Sequence, residues 1–190
     1  MPLGGTSMLE KCLVEQCAPT LASLKVGSLF SYTFSDLPSF EAQVLFWRAA
    51  LNTKGLALAV LNVAAGRALI YVYRVPALKQ VLCDREVAAF LMECGYGDLS
   101  VDTALDVLCQ KLAKGDGFPH EIGIFLGYPL GDVLGFIGHC GQNSKCTGCW
   151  KVYGNADEAA RLFQKYKKCT AVYKRLWASG RSVLRMTVPC

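Results

Sequence analysis

Two β-rich runs joined by a short turn place the strongest constraint on how this chain can fold. The runs are LALAVLNV at 56–63 and ALIYVYR at 68–74, and the residues between them are Ala-Ala-Gly-Arg. Runs rich in β-branched and aromatic residues that are separated by a few turn-forming residues indicate an antiparallel β-hairpin. The sheet built on this hairpin is expected to be packed by helices from the rest of the chain.

Helical patterns lie on both sides of the hairpin. FEAQVLFWRAAL at 40–51 has apolar residues at helical spacing. Near the amino terminus, residues 8–16 predict a short helix that Pro19 keeps from extending further. After the hairpin, three helical runs predict a helical subdomain at 76–115. We expect this subdomain to lie within a single domain of residues 1–190, because the length suits one domain.

The second half of the chain predicts strands that alternate with helices. HEIGIFLG at 120–127 and CWKVY at 149–153 have strand composition, and LGDVLGFIGHC at 130–140 between them is helical. A long amphipathic helix then begins at Asn155 and ends at Gly180. Strand, helix and strand in succession favour a parallel pair with a right-handed crossover. The predicted fold class is therefore α+β, with a small mixed sheet made of the antiparallel hairpin and a parallel βαβ portion.

Composition indicates a soluble, cytoplasmic protein. Hydrophobic residues make up 53% of the chain and charged residues 18%, so a sizeable core is available. No apolar run reaches the roughly 18–20 residues that span a bilayer. The start, MPLGGTSMLEKC, does not have the pattern of a secretory signal. Ten cysteines in a chain so rich in core residues indicate thiols in a reducing cytosol rather than a secreted disulfide scaffold.

The net charge of +5 is concentrated near the carboxyl terminus. Residues 151–190 contain nine basic and two acidic side chains. The basic side chains of the last long helix lie off its apolar stripe, whereas its aromatic residues lie on it. A solvated face is therefore preferred to a nucleic-acid surface, although a nucleic-acid partner is left open. The basic residues concerned are Lys165, Lys167, Lys168, Lys174 and Arg175.

Cys17 and His120 form the first candidate catalytic pair. A cysteine nucleophile needs a nearby base or positive field to become a thiolate. A cysteine near a helix start and a histidine at the head of a distant strand resemble the layout of papain-like thiol enzymes. The third, orienting group would come from elsewhere, with Asp98 and Asn155 as candidates. The alternative is that Cys17 is a packing thiol and that His120 bonds to a backbone carbonyl.

Cys146 and Cys149 form the second candidate site. Two cysteines separated by two residues can chelate one soft metal ion, and Zn or Fe is the candidate cofactor. His139 and Cys140, at the end of the preceding helix, are candidates for the remaining ligands. The same dithiol is also a candidate redox pair. A loop that contains two thiols without a function is the third interpretation.

Tyr71, Tyr73 and Arg74 form a candidate ligand-binding group at the end of the hairpin. The two aromatic rings share a strand face, so they could stack on a planar ligand while Arg74 pairs with an anion. The alternative is the edge of a core with an arginine that extends to solvent.

The glycines of GYPLGDVLGFIG favour packing over phosphate binding. No nucleotide-binding fingerprint is present, and Asp132 in the first helical turn would repel a phosphate. Gly131, Gly135 and Gly138 share one helix face. Such a face predicts close packing against another backbone.

Five segments resemble a known bacterial family. They are CAPTL, YVYR, HEIGIFLGYPLGDVLGFI, CWKVYG and FQKYKKC, which together extend over nearly the whole chain. The family is known only as domain of unknown function 3793. The resemblance implies a bacterial, cytosolic, single-domain protein and assigns no catalytic residue.

Three functional hypotheses follow from these residues. The first is a thiol-dependent enzyme of acyl transfer or hydrolysis that uses Cys17 and His120. The second is soft-metal or redox binding through Cys146 and Cys149. The third is a module without catalysis that binds a small ligand or a protein.

Overall fold

The computed structural model describes residues 8–114 and 117–190. The chain divides into two compact units. Unit 1 combines the amino-terminal part up to Val75 with Lys168–Cys190, and unit 2 is Pro76–Lys167. The first seven residues of the segment inspected for a secretory signal, and residue 115 at the end of the predicted helical subdomain, lie outside the described residues.

Unit 1 contains a three-stranded antiparallel sheet. Its strands are β1 (Gly27–Thr33), β2 (Leu56–Ala64) and β3 (Arg67–Arg74), in the order β1-β3-β2. The predicted hairpin is confirmed as β2 and β3, which pair antiparallel with a shift in register between Val60 and Asn62. Its turn places Ala65 and Gly66 at positive φ angles, a conformation that glycine adopts at low cost.

Helices of unit 1 cover one face of this sheet. They are α1 (Met8–Leu21), α2 (Leu37–Asn52), the carboxyl-terminal part of α8 (Ala156–Ala178) and α9 (Val183–Met186). Their apolar residues form one core with the inward residues of the strands. Members of that core include Leu13, Cys17, Phe30, Trp47, Leu58, Ile70, Val72, Tyr173 and Met186.

Two expectations for the amino-terminal region are corrected. The helix predicted at 8–16 continues to Leu21, with Pro19 inside its last turn. A proline there removes a single backbone hydrogen bond near the helix end, and the ring of Pro19 is buried. Strand β1 was not predicted, because Gly27 at its start is typical of a break rather than of a strand. Here a Cβ at Gly27 would collide with the hydroxyl end of Tyr71.

Unit 2 consists mainly of helices. Three of them, α3 (Val75–Leu82), α4 (Arg85–Glu93) and α5 (Val101–Lys114), form the section for which helices were predicted. The Asp84 side chain accepts the backbone N–H groups of the first turn of α4, as an N-cap does. That residues 1–190 form a single domain stays a prediction.

The α+β class is confirmed, but the predicted parallel βαβ portion is wrong. HEIGIFLG forms a turn and the short helix α6 (Ile122–Phe125), followed by α7 (Leu130–Gly138). The remaining strands, β4 (Cys146–Thr147) and β5 (Lys151–Val152), pair antiparallel with each other. All four residues of α6 are buried. A short run that is apolar on every side has no periodicity that separates a buried strand from a buried helix.

The long helix α8 follows the sequence prediction closely. The backbone N–H of Glu158 donates to the side-chain oxygen of Asn155 at 3.2 Å, which confirms the predicted cap. The chain leaves the helix through Gly180 at φ +86°, in the left-handed region that favours glycine at helix ends.

Candidate functional site

A buried aspartate anchors the second half of unit 2. Asp132 lies in the first turn of α7 and is 4% exposed. Its Oδ2 accepts the indole N–H of Trp150 at 2.7 Å. Its Oδ1 accepts the backbone N–H groups of Tyr153 at 2.8 Å and Gly154 at 2.7 Å. Because a buried carboxylate needs such donors, the sequence GD…WKVYG connects α7 to the chain segment after β5.

The glycine face of α7 packs differently from the prediction. A Cβ at Gly135 would collide with the ring of Tyr153, so this glycine allows the ring to lie against the helix. Gly131 and Gly138 have no other atom within 4 Å of an added Cβ. The expectation that all three glycines lie close to another backbone is therefore wrong. Only Gly135 has a close neighbour, and that neighbour is a side chain.

The two cysteines of the Cys-x-x-Cys motif lie on the hairpin formed by β4 and β5. Cys146 pairs with Val152 and Thr147 pairs with Lys151, which leaves residues 148–150 as the loop. The backbone N–H of Gly148 donates to the carbonyl of Trp150 at 3.0 Å. A Cβ on Gly148 would collide with the ring of Phe163. The loop is therefore tightly constrained, although each strand has only two residues.

Two lysines brace the base of this hairpin. Lys145 Nζ donates to the carbonyl of Gly154 at 2.7 Å, and Lys151 Nζ donates to the carbonyl of Gly141 at 2.6 Å. Residues 143–154 contain these two cations and no acidic side chain. The thiols therefore lie in a locally basic segment whose backbone is held at several points.

Both thiols border one aromatic cluster. Cys146 is half-buried and packs against a core that includes Trp150 and Tyr166. Cys149 is exposed, and its carbonyl accepts the hydroxyl of Tyr128 at 3.3 Å. Burial raises the pKa of Tyr128 and of Tyr166 to about 12, and the nearby Cys149 thiol adds to both shifts. The hairpin thus presents one accessible thiol and one sheltered thiol beside the same rings.

The other two predicted metal ligands lie at the end of α7. His139 is exposed, and its ring stacks on that of Tyr153 with centroids 5.5 Å apart. Cys140 is exposed at φ +50°. Within residues 8–114 and 117–190, no three His, Cys, Asp or Glu side chains lie together in a way that could hold a metal ion. The structure therefore does not gather the four predicted ligands into one cluster.

Cys17 is a core residue of unit 1. It is 0% exposed and lies in the second half of α1, not near a helix start as the papain-like layout requires. Burial raises the pKa of the Cys17 thiol far above its ordinary value, which outweighs the opposing effects of Lys25 and the Ser28 hydroxyl. A thiol in this setting stays protonated at neutral pH, and the protonated form is a poor nucleophile.

His120 belongs to unit 2 and has a different environment from the one predicted. It is exposed, in the turn before α6, and its ring meets the edge of Phe136 with centroids 4.9 Å apart. No strand begins at this residue. The two candidate orienting groups also have local tasks. Asp98 accepts the backbone N–H and hydroxyl of Ser100, and Asn155 caps α8.

The predicted ligand-binding group at the end of β3 is buried. Tyr71 and Tyr73 are stacked with centroids 4.8 Å apart, and Tyr71 is 0% exposed. Arg74 is 4% exposed and donates to the carbonyls of Thr20 and Val188 at 3.0–3.1 Å. Its guanidinium therefore stabilises the carboxyl end of α1 and the last residues of the chain, where a cation is favourable.

Sequence reasoning missed a buried ion pair in unit 2. Glu121 is 7% exposed, and its Oε1 lies 2.7 Å from Lys111 Nζ. The same oxygen accepts the hydroxyl of Tyr96 at 3.3 Å, and Lys111 also donates to the carbonyl of Cys94 at 2.7 Å. The one available signal was an acidic residue next to an apolar run, which does not identify its partner.

Fold and site together define an α+β protein with two thiols on a braced hairpin. The chain belongs to the family described as protein of unknown function (DUF3793), whose profile matches residues 13–187. That range takes in all five segments on which the resemblance rested. No curated protein and no solved structure matches the chain. In the part of the chain that the structure describes, no helix has the length and apolarity to cross a membrane.

Proposed function

We propose that Cys146 and Cys149 form a redox-active dithiol that exchanges with disulfides of other molecules. The observation that carries this proposal is the pairing of one exposed and one half-buried thiol on a single constrained hairpin. An accessible thiol can attack an incoming disulfide, while a sheltered thiol nearby can resolve the product. The lysines that flank the loop make the segment basic, which favours a thiolate over a thiol.

The reaction transfers two electrons and two protons. Cys149, as its thiolate, attacks one sulfur of an external disulfide, so that a mixed disulfide forms and one substrate thiolate leaves. Cys146 loses its proton and attacks Cys149 Sγ, which releases the second substrate thiolate. The protein then holds a Cys146–Cys149 disulfide, and the substrate has become two thiols. The expected cytoplasmic location contains small thiols that would reduce the pair again.

Binding of a soft metal ion is the second candidate function of the same pair. Thiolates are the ligands that Zn²⁺ and Cu⁺ prefer, and the spacing of the two cysteines suits chelation. The hairpin supplies two ligands, so a third and fourth would have to come from solvent or another molecule. Acyl transfer by Cys17 and His120 has less support, because the Cys17 thiol is fully buried.

The test follows the reaction of the reduced protein with a small aromatic disulfide. The wild-type protein is expected to release two aromatic thiols per chain rapidly and to lose two hydrogen atoms by mass. Cys146→Ser should stop at a mixed disulfide on Cys149, and Cys149→Ser should lose the rapid phase. Cys83→Ser, which removes an exposed thiol at the end of α3, is the matched control and should behave as the wild type.

The outcomes separate the two candidates. A rapid phase that survives Cys149→Ser, or that disappears in Cys83→Ser, contradicts the redox proposal. Protein that instead retains one Zn²⁺ per chain after dialysis, and loses it in Cys146→Ser, supports the metal proposal.

A further inference from the structure

Helix α2 is apolar on two opposite faces. One face, with Phe40, Val44, Trp47 and Leu51, is buried in the core of unit 1. On the other side, the side chains of Leu45 and Phe46 are 70% and 60% exposed. A helix that is apolar all round is normally covered on all sides, and an exposed apolar patch of this kind marks an interaction surface.

The exposed face of α2 has the spacing of a coiled-coil seam. Along it, residues recur at alternate intervals of four and three, which is the pattern of core positions in a heptad repeat. Leu45 is at the centre, with a small alanine one step away on each side, so another helix can approach closely there. All of these residues are exposed. The seam consists of Pro38, Ala42, Leu45, Ala49 and Asn52.

A groove runs beside this seam within unit 1. It has a volume of about 390 Å³ and lies between α2 and the edge strand β2. Leu45 and Ala49 line it together with Leu56 and Leu58. Phe46 projects from the same turn of α2 as Leu45, so a second α2 has both a groove to fill and a large apolar side chain to insert.

The charges along the seam are complementary to those of a second copy of the same helix. Glu41 and Arg48 lie seven residues apart, each next to a seam alanine. In an antiparallel pair, Glu41 of one copy lies near Arg48 of the other, and the reverse pair forms at the opposite end. A parallel pair brings neither acid near a base. Charges that flank a seam set the orientation of the helices in this way.

Neither charged side chain has an ionic partner within the described ranges. The ion pairs there are Lys111–Glu121 and Lys174–Glu15. Arg48 Nε donates to the carbonyl of Leu58 at 3.0 Å, which orients the guanidinium and leaves its terminal N–H groups for a carboxylate.

We infer that α2 mediates a two-fold homodimer, in which the α2 helices of two copies of this chain pack antiparallel along the Ala42–Leu45–Ala49 seam. This interface is independent of the dithiol proposal, since it uses no cysteine and lies in the other unit. Each copy buries the apolar face that a single chain exposes.

Sedimentation velocity over a series of protein concentrations tests the interface first. The wild-type protein is expected to sediment as a dimer, and Leu45→Glu should raise the dimer dissociation constant by about a hundredfold or more, because it places two like charges at the centre of the seam. Leu45 is so exposed that this change should leave folding intact. Met92→Glu, at a 58% exposed position on α4, is the matched control and should remain dimeric.

Charge reversal tests the antiparallel arrangement. Glu41→Arg and Arg48→Glu should each weaken the homodimer, because each puts like charges together at both ends of the seam. An equimolar mixture of the two variants should form a heterodimer, since every pair is then opposite in charge. A monomeric wild-type protein, a dimer that Leu45→Glu leaves intact, or variants that fail to recover on mixing would each overturn the inference.

Discussion

The thiols of α1 and those of the β4–β5 hairpin show how strongly position decides what a cysteine can do. Cys17 is surrounded by the core of unit 1, where burial keeps its thiol protonated. Cys149 lies at the surface of a loop, with the half-buried Cys146 on the same hairpin. The first region uses sulfur as a small apolar group, and the second presents it to solvent. Cysteine content alone therefore indicates neither role.

The two regions also differ in how they hold their shape. Unit 1 has a continuous apolar core, into which a single cation, Arg74, extends to bond carbonyl groups. The hairpin has strands of only two residues, so it depends on Asp132 and on two lysines that bond to the backbone. The core is held by burial and the hairpin by hydrogen bonds.

Removing the anchor of the hairpin should have the largest effect. Asp132→Ala leaves three buried N–H donors without an acceptor, so we expect it to lower the free energy of unfolding by about 3–5 kcal/mol. Alkylation of Cys146 should become faster at the same time. Urea denaturation and thiol labelling measure the two effects, and Asp132→Asn, which retains an acceptor oxygen, should cost less. A loss below about 1 kcal/mol would show that the hairpin does not depend on this carboxylate.

Cysteine-to-alanine changes should separate the two regions by stability. Cys17→Ala removes a fully buried sulfur from the core, so we expect a loss of about 1–2 kcal/mol. Cys149→Ala acts at the surface and should change the free energy of unfolding by less than about 0.5 kcal/mol. Chemical denaturation of both reduced variants measures the difference. Equal effects would contradict the contrast between a packing thiol and a surface thiol.

Alkaline pH should produce the smallest effect, and it should appear in both regions. The pKa of Tyr166 near the hairpin and that of Tyr173 in unit 1 are each raised to about 12, chiefly by burial. An unfolded tyrosine ionises near pH 10, so the folded state retains its proton longer than the unfolded state. This contribution to stability is complete below about pH 10 and is lost between about pH 10 and 12, with about 1 kcal/mol expected per tyrosine.

Unfolding titrations between pH 9 and pH 12 measure that loss. Tyr166→Phe and Tyr173→Phe should each make the decline with pH shallower. Tyr173→Phe should also lower stability at neutral pH, because it loses the hydrogen bond from its hydroxyl to the Met186 carbonyl at 2.6 Å. A decline of unchanged steepness in both variants would mean that these two groups do not cause it.

Sequence patterns predicted the elements that have a clear periodicity. The hairpin of β2 and β3, the three helices of the middle section, α7 and the capped helix α8 are all present. The failures have local causes. α6 is buried on every side, so its pattern did not distinguish a helix from a strand, and β1 begins at a glycine that suggested a break.

The site was predictable only as far as spacing reaches. The separation of Cys146 and Cys149 brings two thiols to one loop in any local structure. His139 and Cys140 are near them in sequence, yet side-chain direction depends on where α7 ends and on the positive φ of Cys140. The contacts of Asp132 with residues 150–154, and the Glu121–Lys111 pair, depend on tertiary structure, which no short motif specifies.

Mapping the first thiols to be oxidised in the native protein tests the central claim most directly. Reduced protein would be treated with a limiting amount of oxidised glutathione, alkylated without unfolding, and analysed by peptide mass spectrometry. We predict that a Cys146–Cys149 disulfide forms before any other cysteine is modified, while Cys17 remains a thiol until the protein is unfolded. Early modification of Cys17, or other cysteines oxidised while the hairpin pair stays reduced, would contradict the account.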